Sequence, residues 1–232
     1  MSNSKLIVLD VGGSIVAPDK PDTRFLSSFL GFIRNWLRED SARKIIMTVG
    51  GGGAARSWQE AAKTLDPQVP PDSLDWVGVI ATRLNAELVR AILGPFCPDP
   101  VVTDPSADFG FTGRVLLAAG WKPGFSTDYD AVVLAERFSC RRIYMLSNIA
   151  QIHDLDPLYN PESIPLNRIT WDEYLAMTQK TWTPGANIPF DPVAARRASD
   201  IGLSVAAVAG HDLHNLQALL DGKEHVGTLI SP

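Results

Sequence analysis

The residues best suited to chemistry are four consecutive glycines, Gly50 to Gly53, which follow an apolar run and precede a helical segment that carries Arg56. Glycines at a strand-to-helix turn leave backbone N–H groups open to an anion, and a helix N-terminus favours negative charge. Arg56 can contact the same anion with its planar guanidinium group. This order of residues predicts a phosphate site. A tight turn that only lets the helix pack on the sheet explains an isolated glycine run equally well.

A second glycine turn lies near the N-terminus, where Gly12 and Gly13 follow an apolar run that ends in Asp10 and Val11. The apolar runs before the two glycine turns, residues 44–49 and 5–11, both predict buried strands. Ligands of open parallel sheets bind beyond the carboxyl ends of the strands. Two such turns side by side could hold two phosphate groups.

Strand and helix patterns alternate along the chain, which favours one α/β domain with helices on both faces of a largely parallel sheet. A helix is expected to begin near Asp22 or Thr23, either of which can cap it. The predicted helices cover residues 24–38, 54–62, 75–93 and 130–138. The predicted strands cover 5–11, 44–49, 114–120, 142–147, 204–210 and 225–230, with the last at an edge of the sheet.

The composition is that of an ordinary globular protein, with 232 residues, 45% hydrophobic and 20% charged, and a net charge of −5. The negative charge argues against a nonspecific nucleic-acid surface. No apolar run approaches the roughly 18 residues that a membrane helix needs. Cys97 and Cys140 are far apart, which predicts a reducing compartment and no metal site. We therefore expect a cytoplasmic protein without nucleic-acid or membrane partners.

The glycine turns belong to a longer ordered pattern that resembles the amino acid kinase superfamily, and within it the UMP kinases of the archaeal type. The resemblance covers essentially the full length. It is carried by the segments Asp10-Val11-Gly12-Gly13-Ser14, Val49-Gly50-Gly51-Gly52 with Arg56, Thr82-Arg83-Leu84-Asn85-Ala86, Pro123-Gly124-Phe125-Ser126-Thr127-Asp128, Ser147-Asn148 with Asp156-Pro157, and Gly227-Thr228-Leu229-Ile230.

The resemblance implies a three-layer α/β/α sandwich formed by residues 1–232 as a single domain. The acceptor nucleotide would lie over the N-terminal half, and the donor over the C-terminal half. The resemblance also implies ATP and Mg²⁺ as cofactors and a role in pyrimidine biosynthesis. By analogy with the family, the protein would be a homo-oligomer, specifically a hexamer.

The same resemblance implies roles for individual residues, and no resident metal ligands. Asp10, Arg56 and Asp128 would be catalytic. The ATP site would contain Gly12, Gly13, Gly52, Arg56, Ser147, Asn148, His153 and Asp156. The UMP site would contain Gly51, Asp75, Trp121, Lys122, Pro123, Gly124, Phe125, Ser126 and Thr127.

Some of these residues also suit plainer roles. Asp75 and Ser126 fit helix N-caps as well as nucleotide contacts. Lys122 could simply face solvent. Trp121 could stack on a base or pack against a neighbouring subunit.

The chain also departs from the family pattern on the donor side. Asp10 stands where many members carry lysine, and it brings negative charge near phosphate that Mg²⁺ or an arginine would have to offset. Ala150-Gln151-Ile152-His153 replaces Asp-Gly-Val-Tyr, and Thr183 replaces another lysine, with Lys180 three residues earlier. These changes leave two alternatives open: a kinase for another small acceptor, or a non-catalytic protein that binds or stores nucleotides or oxyanions.

Overall fold

The computed structural model of the protein describes residues 5–178 and 189–232. Its main feature is a seven-stranded sheet in the order β3-β2-β1-β4-β8-β9-β7. Neighbouring strands run parallel except for β8 and β9, which are antiparallel. The strands are β1 (Lys5–Val11), β2 (Arg43–Val49), β3 (Val115–Ala118), β4 (Arg142–Ser147), β5 (Ile152–His153), β6 (Pro165–Leu166), β7 (Arg168–Thr170), β8 (Ser204–Ala209) and β9 (Thr228–Ser231), of which β5 and β6 form a separate antiparallel pair.

The helices lie on both faces of this sheet. They are α1 (Gly13–Val16), α2 (Thr23–Glu39), α3 (Gly52–Leu65), α4 (Pro71–Leu93), α5 (Thr127–Arg137), α6 (Trp171–Met177), α7 (Pro192–Asp200) and α8 (Leu213–Leu220), with a 3₁₀ turn at Gly94–Phe96. Among the described residues no helix is long and apolar enough to cross a membrane.

Alternating residues of the central strands belong to two separate cores. Leu9 and Val11 pack in the core that includes α2, α4 and α8. Val8 packs in the core that includes α5, α6 and α7. This arrangement confirms the predicted three-layer sandwich. Because side chains of a strand alternate between faces, Asp10 lies on the same face as Val8, which α5 covers.

The structure confirms most predicted elements and corrects others. Asp22 caps α2 by accepting the backbone N–H of Phe25 at 2.9 Å. α4 begins at Pro71, four residues before the predicted start, because proline is well suited to the first turn of a helix. The predicted edge position of the last strand is wrong, since β9 lies between β8 and β7. β7 has three residues, too few to show an alternating pattern.

The two glycine turns are in direct contact at the carboxyl ends of β1 and β2. A Cβ atom on Gly13 would lie 2.1 Å from the backbone nitrogen of Gly52, and one on Gly50 would lie 2.4 Å from the nitrogen of Gly13. Gly52 also has a φ of +62°, which favours glycine. The close approach of these two backbones therefore excludes any side chain.

We expect Gly13→Ala to destabilise the protein by more than about 3 kcal/mol, because the new methyl group must separate two backbone segments. Gly31→Ala is the matched control, since Gly31 lies in α2 with open space around its Cβ position. Alanine should stabilise that helix by up to about 1 kcal/mol. Urea unfolding of both variants measures the difference, and equal stability would contradict the steric argument.

Candidate active site

The contact between the glycine turns leaves a group of unpaired backbone donors. The N–H groups of Gly13, Ser14, Gly51 and Gly52 make no hydrogen bond to any residue that the structure describes. The carbonyl groups on this segment are held instead, because Asn85 donates its Nδ2 hydrogens to Gly50 O at 2.9 Å and Gly51 O at 3.0 Å. Fixed backbone N–H groups of this kind can hold the oxygen atoms of a phosphoryl group.

Three carboxyl groups meet beside these donors. Asp10 accepts a hydrogen bond from the Thr48 hydroxyl at 2.7 Å and lies next to the Asp128 carboxyl group. Asp128 accepts the backbone N–H of Asp191 at 2.7 Å. The Asp191 carboxylate in turn accepts the hydroxyl of Ser126. The cluster joins the ends of β1 and β2 to the starts of α5 and α7.

Burial and mutual repulsion change the protonation of these groups. Burial raises the pKa of Asp10 to about 6. Burial and the negative charges of Asp10 and Asp191 raise the pKa of Asp128 well above its usual range. No ion pair within residues 5–178 and 189–232 includes any of the three carboxyl groups. Burial and their mutual contact therefore favour a single proton on the Asp10–Asp128 pair over two ionised carboxylates.

The starts of two helices offset part of the remaining charge. Asp128 is the second residue of α5, and Asp191 is the N-cap of α7, where its side chain accepts the N–H of Val193. The N-terminus of a helix carries a partial positive charge that stabilises a nearby carboxylate. This placement explains how acidic residues can be retained in a buried position.

The loop that follows β3 contains most of the residues predicted to contact the acceptor nucleotide, and we call residues 120–126 the acceptor loop. Asp75 accepts the N–H of Gly124 in this loop at 2.7 Å, and since α4 begins at Pro71, Asp75 is not an N-cap. Pro123 precedes Gly124 in the loop. Ser126 does cap α5, where it accepts the N–H of Tyr129 at 3.2 Å. Asp75 therefore holds the loop that was predicted to contact UMP.

Aromatic and cationic side chains cover the same loop. The Lys122 Nζ atom lies 3.8 Å from the centroid of the Trp121 ring. The Trp121 and Phe125 rings lie 5.2 Å apart, centroid to centroid. Lys122 is exposed, as the plainer reading expects, and its ammonium group rests on the indole of Trp121. Thr127 follows the loop as the first residue of α5.

Arg56 lies on the exposed side of the glycine turns. Its Nη2 atom donates to the carbonyl oxygen of Pro18 at 2.8 Å. Because the side chain is exposed, a change of rotamer is enough to release this contact. Arg56 thus stands beside the open donors without contacting them in this structure.

The predicted donor residues fall into two groups. Ser147 lies next to the first glycine turn, since a Cβ atom on Gly12 would be 3.7 Å from its Cα atom, and Asn148 follows it. His153 and Asp156 make their contacts away from the glycine turns. His153 Nδ1 pairs with Ser163 Oγ at 2.9 Å, and Asp156 accepts the N–H of Leu158 at 2.9 Å in an exposed turn.

The altered segment after Asn148 is held by side chains. Gln151 Nε2 donates to Asn167 Oδ1 at 2.7 Å and to Gly227 O at 3.2 Å. The Thr228 hydroxyl accepts the N–H of Ile152 at 2.9 Å. These bonds stabilise the turn that lacks the family's Asp-Gly pair. Lys180 and Thr183, the other departure, lie outside the described residues.

Sequence reasoning missed the roles of Thr48 and Asn85. Both are polar side chains that the structure buries, Thr48 within an apolar strand and Asn85 within a helix with an apolar face. A buried polar side chain needs a hydrogen-bond partner, so each was a detectable signal. The partner itself could not be read from the pattern. The described residues hold no group of three or more histidine, cysteine, aspartate or glutamate side chains placed to bind a metal ion.

Residues 5–206 match the model of a protein family described as the "Amino acid kinase family". The uridylate kinase of Thermococcus onnurineus (strain NA1) is 31% identical over 230 residues, which covers 97% of this chain and 99% of that protein. The uridylate kinase of Thermoplasma acidophilum is 28% identical over 226 residues, covering 97% and 96%.

Solved structures share the fold. The uridylate kinase from Archaeoglobus fulgidus superimposes with a TM-score of 0.79 at 24% identity, covering 97% of this chain and 99% of that one. The UMP kinase from Bacillus anthracis gives a TM-score of 0.78 at 17% identity, covering 98% and 96%.

The raised pKa of Asp10 predicts how the free energy of unfolding depends on pH. Between about pH 4 and pH 6 the folded protein keeps a proton at Asp10 that the unfolded chain has lost, so the free energy of unfolding falls as the pH rises. Asp10→Asn removes the titrating group and keeps an oxygen for Thr48. We expect this variant to be more stable than the wild type by about 2 kcal/mol at pH 7.5, with the gain disappearing below pH 4.

Thermal unfolding at several pH values measures this difference. Glu162→Gln is the control, because it neutralises an exposed carboxyl group and should change stability by less than about 0.5 kcal/mol. A destabilised Asp10→Asn protein at pH 7.5 would show that the charged carboxylate is favourable where it lies.

Proposed function

Since the chain belongs to the amino acid kinase family, we propose that it is a UMP kinase, which transfers the γ-phosphoryl group of ATP to UMP. An oxygen of the UMP phosphate bonds to the γ-phosphorus as the bond to the β,γ-bridging oxygen of ATP breaks, giving UDP and ADP. The observation that carries this proposal is the contact between the two glycine turns, which places unpaired N–H groups of both at one point. The uridylate kinases at 30–31% identity over nearly the whole chain support the choice of acceptor.

The glycine turns would bind the phosphoryl group that moves. The donors of Gly13 and Gly52 belong to turns that follow different strands, so they can contact oxygens of one phosphate from two directions. Phosphoryl transfer depends mainly on positioning and charge stabilisation, which fixed amides provide. Arg56 would turn from Pro18 toward the developing charge and add a bidentate contact.

The two nucleotides would lie on opposite sides of this point. ATP would extend from Gly12, Gly13 and Gly52 toward Ser147 and Asn148, with the segment of His153 and Asp156 near adenosine. UMP would lie between Gly51 and the acceptor loop, where Trp121 or Phe125 can contact the base and Lys122 can reach the phosphate. Asp75 would act on UMP through Gly124.

Asp10 and Asp128 are the hard oxygen donors that fit Mg²⁺, which usually binds one or two carboxylates together with nucleotide phosphates. Bound Mg²⁺ would neutralise phosphate charge during transfer. In this chain Asp10 and Asp128 would hold the ion beside the glycine donors, and the pair would lose its proton when the ion binds. The reaction would serve pyrimidine biosynthesis in the cytoplasm.

The proposal is tested by measuring ADP release from ATP and Mg²⁺ with each nucleoside monophosphate in turn. We expect the highest kcat/KM with UMP. Arg56→Met should lower that value about 100-fold, as loss of a donor to a developing charge does elsewhere. Lys63→Met is the control, since it removes an exposed cation from the same helix at its other end.

No turnover with any nucleoside monophosphate would reject the proposed reaction. Calorimetry then separates the two alternatives. Binding of ATP and UMP without transfer would favour a non-catalytic nucleotide-binding protein, and ATP binding without UMP binding would favour a different small acceptor.

We also propose that the protein is a homo-oligomer, a hexamer by analogy with the family. The support is an apolar stripe on the outer face of α4, formed by Trp76, Ile80 and Leu84, which are 44%, 57% and 67% exposed. These residues recur every four positions, so they share one side of the helix. Trp58 on the neighbouring α3 is also exposed. An apolar stripe of this kind is typical of a surface that another copy covers.

Light scattering after size exclusion tests the oligomer. Ile80→Glu should convert most of the protein at micromolar concentration to smaller species, because it places a charge within the covered surface. Arg196→Glu is the control, since Arg196 is exposed on α7 at the opposite face of the sheet. A wild-type mass of 25.2 kDa would contradict the assembly.

A further inference from the structure

The backbone of the acceptor loop is held by side chains from two helices. The Gly120 N–H donates to Thr82 Oγ1 at 2.7 Å, and the Gly120 carbonyl accepts from Arg83 Nε at 3.2 Å. The Trp121 carbonyl accepts from Arg83 Nη2 at 2.9 Å. The Trp121 N–H donates to Asp130 Oδ2 at 3.2 Å. Both polar groups of two successive residues are thus bound by side chains of α4 and α5.

Asp130 is an unusual residue for this position. It is completely buried in α5, and burial raises its pKa well above the usual range. Its Oδ1 atom has no hydrogen-bond partner among the described residues. A buried carboxyl group is costly, and an apolar side chain would pack there without that cost. Within the described part of the chain, its carboxyl group accepts one hydrogen bond, from the Trp121 backbone N–H, so the position of Trp121 is what this side chain determines.

Arg83 is fixed as firmly on the other side of the loop. Its guanidinium group makes three hydrogen bonds to the carbonyls of Gly120 and Trp121, and it lies 5.7 Å from the centroid of the Trp76 ring. A planar group bound through its Nε and Nη2 atoms and packed against an aromatic ring has little freedom to move. The loop is therefore ordered by α4 and α5 before any ligand binds.

We propose that Arg83 and Asp130 are positioning residues for the acceptor, which set the backbone of Trp121 so that Trp121 and Lys122 face the incoming nucleotide. This inference rests on the proposed UMP kinase function. A loop ordered in advance loses less conformational entropy when the acceptor binds, so the ordering raises the affinity for the acceptor. The donor nucleotide would contact other elements, so the ordering would not change its affinity.

Steady-state kinetics of Asp130→Leu and Asp130→Asn test the role. Leucine leaves the Trp121 N–H without its acceptor, so we expect the KM for UMP to rise at least about 10-fold, with the KM for ATP within twofold and kcat within threefold. Asparagine keeps an oxygen at the same place, and its KM for UMP should stay within threefold of the wild type. Arg83→Met should raise the KM for UMP as Asp130→Leu does. If Asp130→Leu does not fold, Arg83→Met is the variant that tests the role.

A purely structural role would raise both KM values together and lower the melting temperature in proportion. That result, or an unchanged KM for UMP in both Asp130→Leu and Arg83→Met, would overturn the proposal.

Hydrogen exchange of the acceptor loop gives a readout that needs no activity. Residues 120–126 should exchange faster in Asp130→Leu and Arg83→Met than in the wild type, and at the wild-type rate in Asp130→Asn. If the exchange differences appear and the wild type phosphorylates no nucleoside monophosphate, the UMP kinase function fails and the ordering of the loop by Arg83 and Asp130 stands. Equal exchange in all four proteins would reject that ordering.

Discussion

The whole site depends on the close approach of two glycine backbones, Gly13 after β1 and Gly52 after β2. Adjacent parallel strands are held about 4.8 Å apart by their hydrogen bonds, so the turns that follow them are neighbours by necessity. Only the absence of side chains lets the turns touch, and N–H groups of both turns have no hydrogen-bond partner in the part of the chain that the structure describes. Asn85 then fixes the carbonyl side of the segment, so that the N–H side stays open. The carboxyl cluster, the starts of α5 and α7 and the acceptor loop are all arranged around that contact.

Much of this arrangement could be predicted from local pattern. Apolar runs such as Lys5–Val11 identify buried strands, and Asp22 is a recognisable helix cap. The family resemblance placed Asp10 and Asp128 in one site, but local pattern could not predict the carboxyl cluster, because Asp10, Asp128 and Asp191 come from three distant parts of the chain. The bond between Asp75 and Gly124 likewise joins residues whose contact depends on how α4 packs. Local signals thus predict elements, and tertiary contacts decide which polar groups meet.

By the family resemblance, Asp10 stands where many members carry lysine, and this difference makes the site more acidic. A lysine would bring positive charge, whereas Asp10 and Asp128 bring two buried carboxyl groups with raised pKa values. Their burial lowers the stability of the folded chain, while the N-termini of α5 and α7 offset part of that effect. Destabilising groups of this kind concentrate where proteins perform chemistry.

The inner position of β9 has a consequence for how the chain acquires its fold during synthesis. Among the strands of the described residues, β7 pairs in the main sheet with β9 alone, which follows it only after α6, α7, β8 and α8. Thr228 of β9 also joins the backbones of Ile152 and Leu166, on either side of the excursion that holds β5 and β6. A ribosome-bound chain can therefore complete β1, β2 and the two glycine turns early, while the C-terminal half waits for its final strand to emerge. Pairings between such distant segments form slowly, so the two halves of the sheet mature at different times.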